Sequence, residues 1–253
     1  MTQDLPPVQM LWVGGPLTAL ERLSLTSYLR QGHPVHLYTY GRPANVPKGL
    51  TIKDAATILP CPAGEDGNTV AARFSDRCRS KLLFERGGIW SDIDVVCVKP
   101  LEFARGMDYF FASEVIPAQA GDEGKIRVRA SNCVMKTPAA SPVMQDCLQQ
   151  ADAASNVVGS AANTGPVTLH AALERYNLLG ALLNPNLFCP VPFWNFTTLM
   201  TGTATLPPES CGVHCWSESW RRNFFDRDGT YEPLSLIERL KAHYLATRLR
   251  KEA

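Results

Sequence analysis

No stretch of this chain is long and apolar enough to cross a bilayer, so a helical membrane span is excluded as its organising element. Charge of one sign is also missing. Lys and Arg total 25 against 24 Asp and Glu, a formal net charge of +1, and such a balance offers no broad electropositive face to nucleic acid. The N-terminus has Asp4 and two prolines in place of a positive segment followed by an apolar run, so no cleaved secretion signal is expected. Internal repeats, low-complexity tracts and composition breaks are absent, and the expectation is a single domain over residues 1–253. Cysteine is present but unpatterned. Cys211, His214 and Cys215 lack the complementary C-x-x-C of a structural zinc site, and others such as Cys97 sit inside apolar runs. Buried free thiols in a reducing, cytoplasmic setting are expected.

What is there is an alternation of strand and helix signals, with 45% hydrophobic residues to supply a core. Val8 to Val13 reads as a buried strand ended by Gly14-Gly15-Pro16, Leu17 to Gln31 as a helix stopped at Gly32, and Val35 to Tyr40 as the next strand. This order opens a mostly parallel α/β sheet flanked by helices, whose ligand crevice lies at the carboxyl ends of the strands. A short Thr51-Ile52 strand follows. Gly64 to Asn68 supplies a turn and a cap for a helix over Val70 to Arg86, which Gly87-Gly88 ends. Tyr109 to Ala112 and Ser131 to Lys136 read as further strands flanking a charged loop, and Pro142 to Ala154 and Pro166 to Tyr176 as helices. The stretch from Asn184 to Pro208 is irregular. Ser235-Leu236-Ile237-Glu238 is a capping box for a C-terminal helix whose basic end, Arg248, Arg250 and Lys251, suits at most peripheral contact with the inner face of a membrane.

Chemistry concentrates at Asp92-Ile93-Asp94, directly after the strand of Ile89, Trp90 and Ser91. Side chains alternate along extended backbone, so both carboxylates should leave one side of the strand while Ile93 turns inward. Two such oxygen ligands suit Mg²⁺ or Mn²⁺, which complete their shells with water and substrate phosphate. On the preceding helix Asp76 and Arg79, three positions apart, are either a plain intrahelical ion pair or a pair presented to a ligand.

Phe74-Ser75-Asp76-Arg77-Cys78-Arg79, followed by Gly87-Gly88-Ile89-Trp90-Ser91-Asp92-Ile93-Asp94, resembles the S-D-x-x-R … G-G-x-[YW]-x-D-x-D block of the sugar transferases of glycosyltransferase family 32, a block shared by the large glucosylating toxins. Met10-Leu11-Trp12-Val13-Gly14-Gly15 is similar to their strand whose tryptophan stacks on uracil, and His214-Cys215-Trp216-Ser217-Glu218-Ser219-Trp220 to the H-x-x-x-x-S-W element that closes family 32 sites. The resemblance implies a GT-A fold, a divalent cation, a nucleotide-sugar donor such as a UDP-sugar, a glycan or glycolipid acceptor, and retention of anomeric configuration. It further implies that Trp12 stacks on the base, Asp76 contacts ribose or donor sugar, and Arg79 reaches donor sugar or phosphate. Asp94 would ligate the cation directly and Asp92 mainly through water or the sugar nucleotide, with His214 a further ligand. Ser219 and Trp220 would touch the diphosphate from a mobile loop.

Each residue has a plainer alternative. Trp12 could pack at the sheet edge, His214 could be a satisfied core histidine, and Trp216 with Trp220 one core-facing helix stripe. Asn132 and Asn163-Thr164-Gly165-Pro166 hold donor or acceptor hydroxyls or serve as turn chemistry. Arg77, Cys78 and Ser91 depart from the family pattern, and the toxins place a carboxylate where His214 is assigned, which makes Glu218 its competitor. No covalent nucleophile stands out, so front-face displacement is the expected route. A metal-dependent phosphatase and a noncatalytic nucleotide-sugar binder are the rival classes.

Overall fold

The computed structural model describes residues 5–61, 68–118, 126–155, 165–202 and 204–246. Apolar, β-branched and aromatic runs form a six-stranded sheet from β1 (Val8–Trp12), β2 (Val35–Thr39), β3 (Thr51–Asp54), β4 (Gly88–Ser91), β6 (Phe110–Ile116) and β7 (Arg127–Thr137), ordered β3-β2-β1-β4-β7-β6. The pairings β3·β2, β2·β1 and β1·β4 are parallel, whereas β7 runs antiparallel to both β4 and β6. The fold is therefore mixed α/β with a mostly parallel central sheet. A separate ribbon pairs β5 (Val95–Cys97) antiparallel to β8 (Gly212–His214).

Strand alternation divides the core. Val8, Met10, Leu37 and Ile89 point to one face, where Leu25 and Tyr28 of α1 (Ala19–Arg30) cover them. Leu11, Tyr38 and Trp90 point to the other, against Cys78 and Leu82 of α2 (Asn68–Arg86), Met144 and Cys147 of α3 (Pro142–Ser155) and Leu169 of α4 (Pro166–Arg175). Helix α1 begins at a capping box, Thr18 with Glu21, and α4 carries Pro166 in its first turn. Gly87 adopts φ +62°, and a Cβ there would lie 2.4 Å from the Ala139 nitrogen, so only glycine lets α2 turn sharply into β4.

The antiparallel half extends beyond the sequence expectation, because β6 runs on to Ile116 and β7 begins at Arg127. Cross-strand partners such as Glu114 and Arg129, 2.6 Å apart, hold these polar ends in the ladder. The β8 strand and the short helix α5 (Ser217–Arg222) were not legible. The turn expected at Gly64 to Asn68 lies outside the described residues except for Asn68, which opens α2. The C-terminal helix α6 (Leu236–Tyr244) is capped by Ser235, which accepts the Glu238 N–H. Its apolar face, Leu236, Ile237, Leu240 and Tyr244, is buried with Leu20 and Leu23 of α1, so the described part of the helix keeps none for a bilayer. Arg248, Arg250 and Lys251 lie outside the described residues. Among the described residues no helix is long and apolar enough to cross a membrane.

Candidate active site

At the carboxyl end of β4 the chain leaves extended geometry. The Asp92 N–H donates to the Cys133 carbonyl at 2.7 Å, and the Val95 N–H closes a turn onto the Asp92 carbonyl at 3.2 Å. The carboxylates of Asp92 and Asp94 thus converge through a turn rather than through strand alternation, and Ile93 lines the cavity beside them. This corrects the extended reading of the acidic pair. The third member of the cluster comes from β8: ligand atoms of Asp92, Asp94 and His214 all lie within 4.8 Å of one another. His214 Nε2 faces Asp94 Oδ1 at 3.5 Å, and Asp94 Oδ2 accepts the Ser217 N–H at 2.7 Å.

Arg79 ties the helix to this cluster. Its Nη1 donates to Asp76 and its Nη2 to Asp92 Oδ1, each at 2.6 Å, while the guanidinium lies over the Trp90 ring, 5.1 Å from its centroid. Trp90 Nε1–H donates to Asp92 at 2.8 Å, and Asn132 Nδ2–H to Asp76 at 2.8 Å. Asp76 and Arg79 therefore form the intrahelical pair and a longer polar chain at once, linking α2, β4 and β7. Arg79 is buried, with both terminal nitrogens committed to carboxylates. It clamps the two carboxylates and also lines the cavity they border.

Burial and charge separate the two aspartates. Burial pushes Asp92 up to about 6, assisted by the negative Asp94 and opposed by Arg79. Burial acts on Asp94 in the same sense, but His214 and the Ser217 N–H outweigh it and hold that carboxyl below the usual range. His214, which burial alone would depress, is raised well above its ordinary value by Asp94 and Cys133. All three groups border a cavity of about 510 Å³, whose wall also includes Asp76, Arg79, Asn132, Trp216, Ser217 and Ser219.

No protein-family model matches the chain, and no curated protein matches it. Among solved structures it is similar to the PaToxG glycosyltransferase, with 14% identity over 68% of this chain and 70% of that one at a TM-score of 0.43. It is also similar to the glycosyltransferase GlyE of Streptococcus pneumoniae, with 11% identity over 89% of this chain and a TM-score of 0.45, and spans 61% of GlyE's length. The catalytic domain of alpha-toxin from Clostridium novyi aligns over 98% of this chain and 82% of its own, at 10% identity and a TM-score of 0.36.

Two of the residues expected at the site stand elsewhere. Trp220 is fully buried in the cluster beneath α6, edge-on to Tyr231 with ring centroids 5.5 Å apart, and it belongs to helix α5 rather than to a loop. Helical geometry explains this: Trp216 and Trp220 bracket the turn, but Trp216 takes a left-handed conformation at φ 57° before the helix starts and so turns the other way. Its ring lies against His214, tilted by 37° with 3.8 Å between centroids, and reaches the cavity wall. Trp12 is the second. It lines a separate cavity of about 450 Å³ with Gly14, Thr39, Tyr40 and Arg42, because Leu11, its neighbour on β1, is the residue facing the acidic cluster. Its indole N–H donates to the Gly15 carbonyl at 2.8 Å.

Glu218 is engaged by Arg221 and Arg222 at 2.6 and 2.8 Å and is not part of the three-residue cluster. Asn163 and Thr164 lie outside the described residues, while Gly165 approaches so near that a Cβ would stand 3.1 Å from Asn132 Nδ2 and 3.2 Å from Asp76 Oδ2. Trp216, the Trp90 indole and the Ser217 N–H were not assigned roles from the sequence. The tryptophans sat inside the two motifs already singled out, but only the fold shows which face each ring presents.

Proposed function

We propose that this chain is a divalent-cation-dependent hexosyltransferase that takes a sugar from a nucleotide sugar, with a uridine diphosphate leaving group, and places it on a glycan or glycolipid hydroxyl with retention of configuration. The observation that carries the reading is the convergence of Asp92, Asp94 and His214 on one wall of a cavity large enough for a nucleotide sugar. Two carboxylates and an imidazole are a donor set that Mn²⁺ accepts and Mg²⁺ tolerates. Asp92, Asp94 and His214 would hold the ion, and when bound it would supply Lewis-acid stabilisation of the departing diphosphate.

The protein's own part is orientation. Arg79 and the Trp90 N–H fix the Asp92 carboxylate from behind, and the Ser217 N–H fixes Asp94, so neither must reorganise as charge builds on the leaving group. Asp76, anchored by Arg79 and Asn132, faces the same cavity and is suited to accept ribose or sugar hydroxyl hydrogens. Trp216 and Ile93 line the wall with apolar surface that excludes water, and Ser219 offers a hydroxyl there. Trp12 would stack on the base from the neighbouring cavity, provided the nucleoside lies across the end of β1. In this reading the departing phosphate takes the acceptor proton in a front-face displacement.

The test is a panel of nucleotide sugars assayed with Mn²⁺ and with chelator, comparing the intact chain with Asp94→Ala. Donor cleavage that requires both cation and Asp94 supports the proposal. Nucleotide binding without turnover of any donor would make the chain a binder, and phosphate release from simple phosphomonoesters would make it a phosphatase.

A further inference from the structure

Behind His214 lies a second group of ligating atoms. Cys133 on β7, Cys189 in the loop ahead of β8 and His214 are all buried, and their ligand atoms lie within 4.8 Å of one another. Strand alternation turns the thiol away from the cavity that His214 borders: Asn132 points to Asp76, and Cys133, next along β7, points to the opposite side. We propose that Cys133 Sγ, Cys189 Sγ and His214 Nδ1 form a binding site for a thiophilic divalent cation of the zinc class. This site shares His214 with the one at Asp92 and Asp94 but uses the opposite ring nitrogen, and it stands whether or not the chain transfers a sugar.

The spacing matches the chemistry. Two thiolates about 2.3 Å from a shared tetrahedral ion lie about 3.8 Å apart, and a thiolate and an imidazole nitrogen about 3.6 Å apart. The observed separations are 3.7 Å between the two sulfurs and 3.9 Å from Cys189 Sγ to His214 Nδ1. The sulfurs are free thiols, too far apart to be bonded to each other. Ser131, buried and two residues before Cys133 on β7, lies on the same side of the strand as that thiol. Coordination would release to solvent the Cys189 thiol proton and the proton shared between Cys133 and His214 Nδ1, and two thiolates balance a divalent charge in a buried place. The other ring nitrogen of His214 faces Asp94, the carboxylate–histidine–metal arrangement in which an outer carboxylate orients a histidine ligand. An ion on Nδ1 leaves the ring proton on Nε2, directed at Asp94, so His214 ligates one ion at a time, and Asp92 and Asp94 hold the other cation when this site is filled.

The probe is Cd²⁺ alone, added under a phosphine reductant to the folded chain and, because the cluster is buried, also during refolding. The expected result is a stoichiometric thiolate-to-cadmium charge-transfer band that is lost in Cys133→Ser and in Cys189→Ser. Asp92→Asn, which removes an oxygen ligand of the other site, should keep the band; its failure to do so would overturn the proposal. Should the cysteine variants not fold, x-ray absorption at the cadmium edge of the wild-type protein decides, with two sulfurs and a nitrogen expected in the shell. Absence of the band under both loading conditions, an all-oxygen shell, or a band that survives in a folded Cys133→Ser/Cys189→Ser variant would overturn it.

Discussion

Replacing Arg79 by methionine removes one cation from between two carboxylates while keeping most of the aliphatic stem. The side chains of Asp76 and Asp92 are only 15% and 20% exposed, so neither can recover its lost partner from bulk water. Breaking such a pair from one side costs about 3–5 kcal/mol. Asp92 retains the Trp90 N–H and Asp76 the Asn132 amide, which argues for the lower end, about 3 kcal/mol at pH 8. The loss must also depend on pH. With Arg79 in place Asp92 sits at about 6, and without the guanidinium it rises further, so near pH 5.5 the carboxyl is protonated and the penalty shrinks by about 1 kcal/mol or more. Urea denaturation at pH 8 and 5.5, with unchanged m-value, measures both quantities, and a thermal scan at pH 8 should show a fall of about 6–12 °C. Adding Asp92→Asn to Arg79→Met should restore part of the stability. A loss below about 1 kcal/mol, or one of equal size at both pH values, would refute the clamp.

Trp220→Ala should cost about 3–5 kcal/mol as a core truncation, whereas Trp216→Ala should leave stability within about 1.5 kcal/mol and alter ligand binding in the cavity; paired melting and nucleotide titrations separate the two. Gly87→Ala forces a Cβ against the Ala139 backbone at positive φ, and a loss above about 2 kcal/mol is expected by denaturant titration. Mn²⁺ binds ionised Asp92 and neutral His214, so its affinity should fall as pH drops through the raised His214 range and by a further factor of about ten for each pH unit below about 6, read by the free-ion signal in electron paramagnetic resonance. For the ion-free protein the sign reverses: a raised folded-state value favours protonated Asp92, a stabilisation complete below the unfolded value and lost as pH rises through about 6.

The parallel half of the sheet was legible because its strands are short apolar runs bounded by glycine and proline, as at Val8–Trp12 and Val35–Thr39. Thr51–Asp54, exposed and polar, was recognised only in its first two residues. In the β5·β8 ribbon the apolar run Val95 to Val98 reads as extended and forms β5, whereas β8 was hidden because it is three residues long and its partner lies more than a hundred residues away. At the site, Asp92, Asp94, Asp76 and Arg79 stood out through spacing, yet their hydrogen bonds did not: that Arg79 spans both aspartates depends on how α2 leans on β4. Trp220 shows the reverse case. A motif can place a residue beside a site in sequence, while a single left-handed residue at Trp216 decides which indole reaches the cavity. The Cys133–Cys189–His214 group had no signal at all, since its members are scattered over eighty residues and meet only in the folded chain.

A cation at Asp92, Asp94 and His214 that holds a nucleoside diphosphate is what the proposed activity requires, and calorimetric titration of uridine diphosphate with and without Mn²⁺ tests it most directly. The prediction is binding that appears only with Mn²⁺ and weakens by about tenfold or more in Asp94→Asn, a variant that keeps the shape of the carboxylate but not its charge. Equal affinity in chelator and in Mn²⁺, or an unchanged affinity in Asp94→Asn, would contradict it.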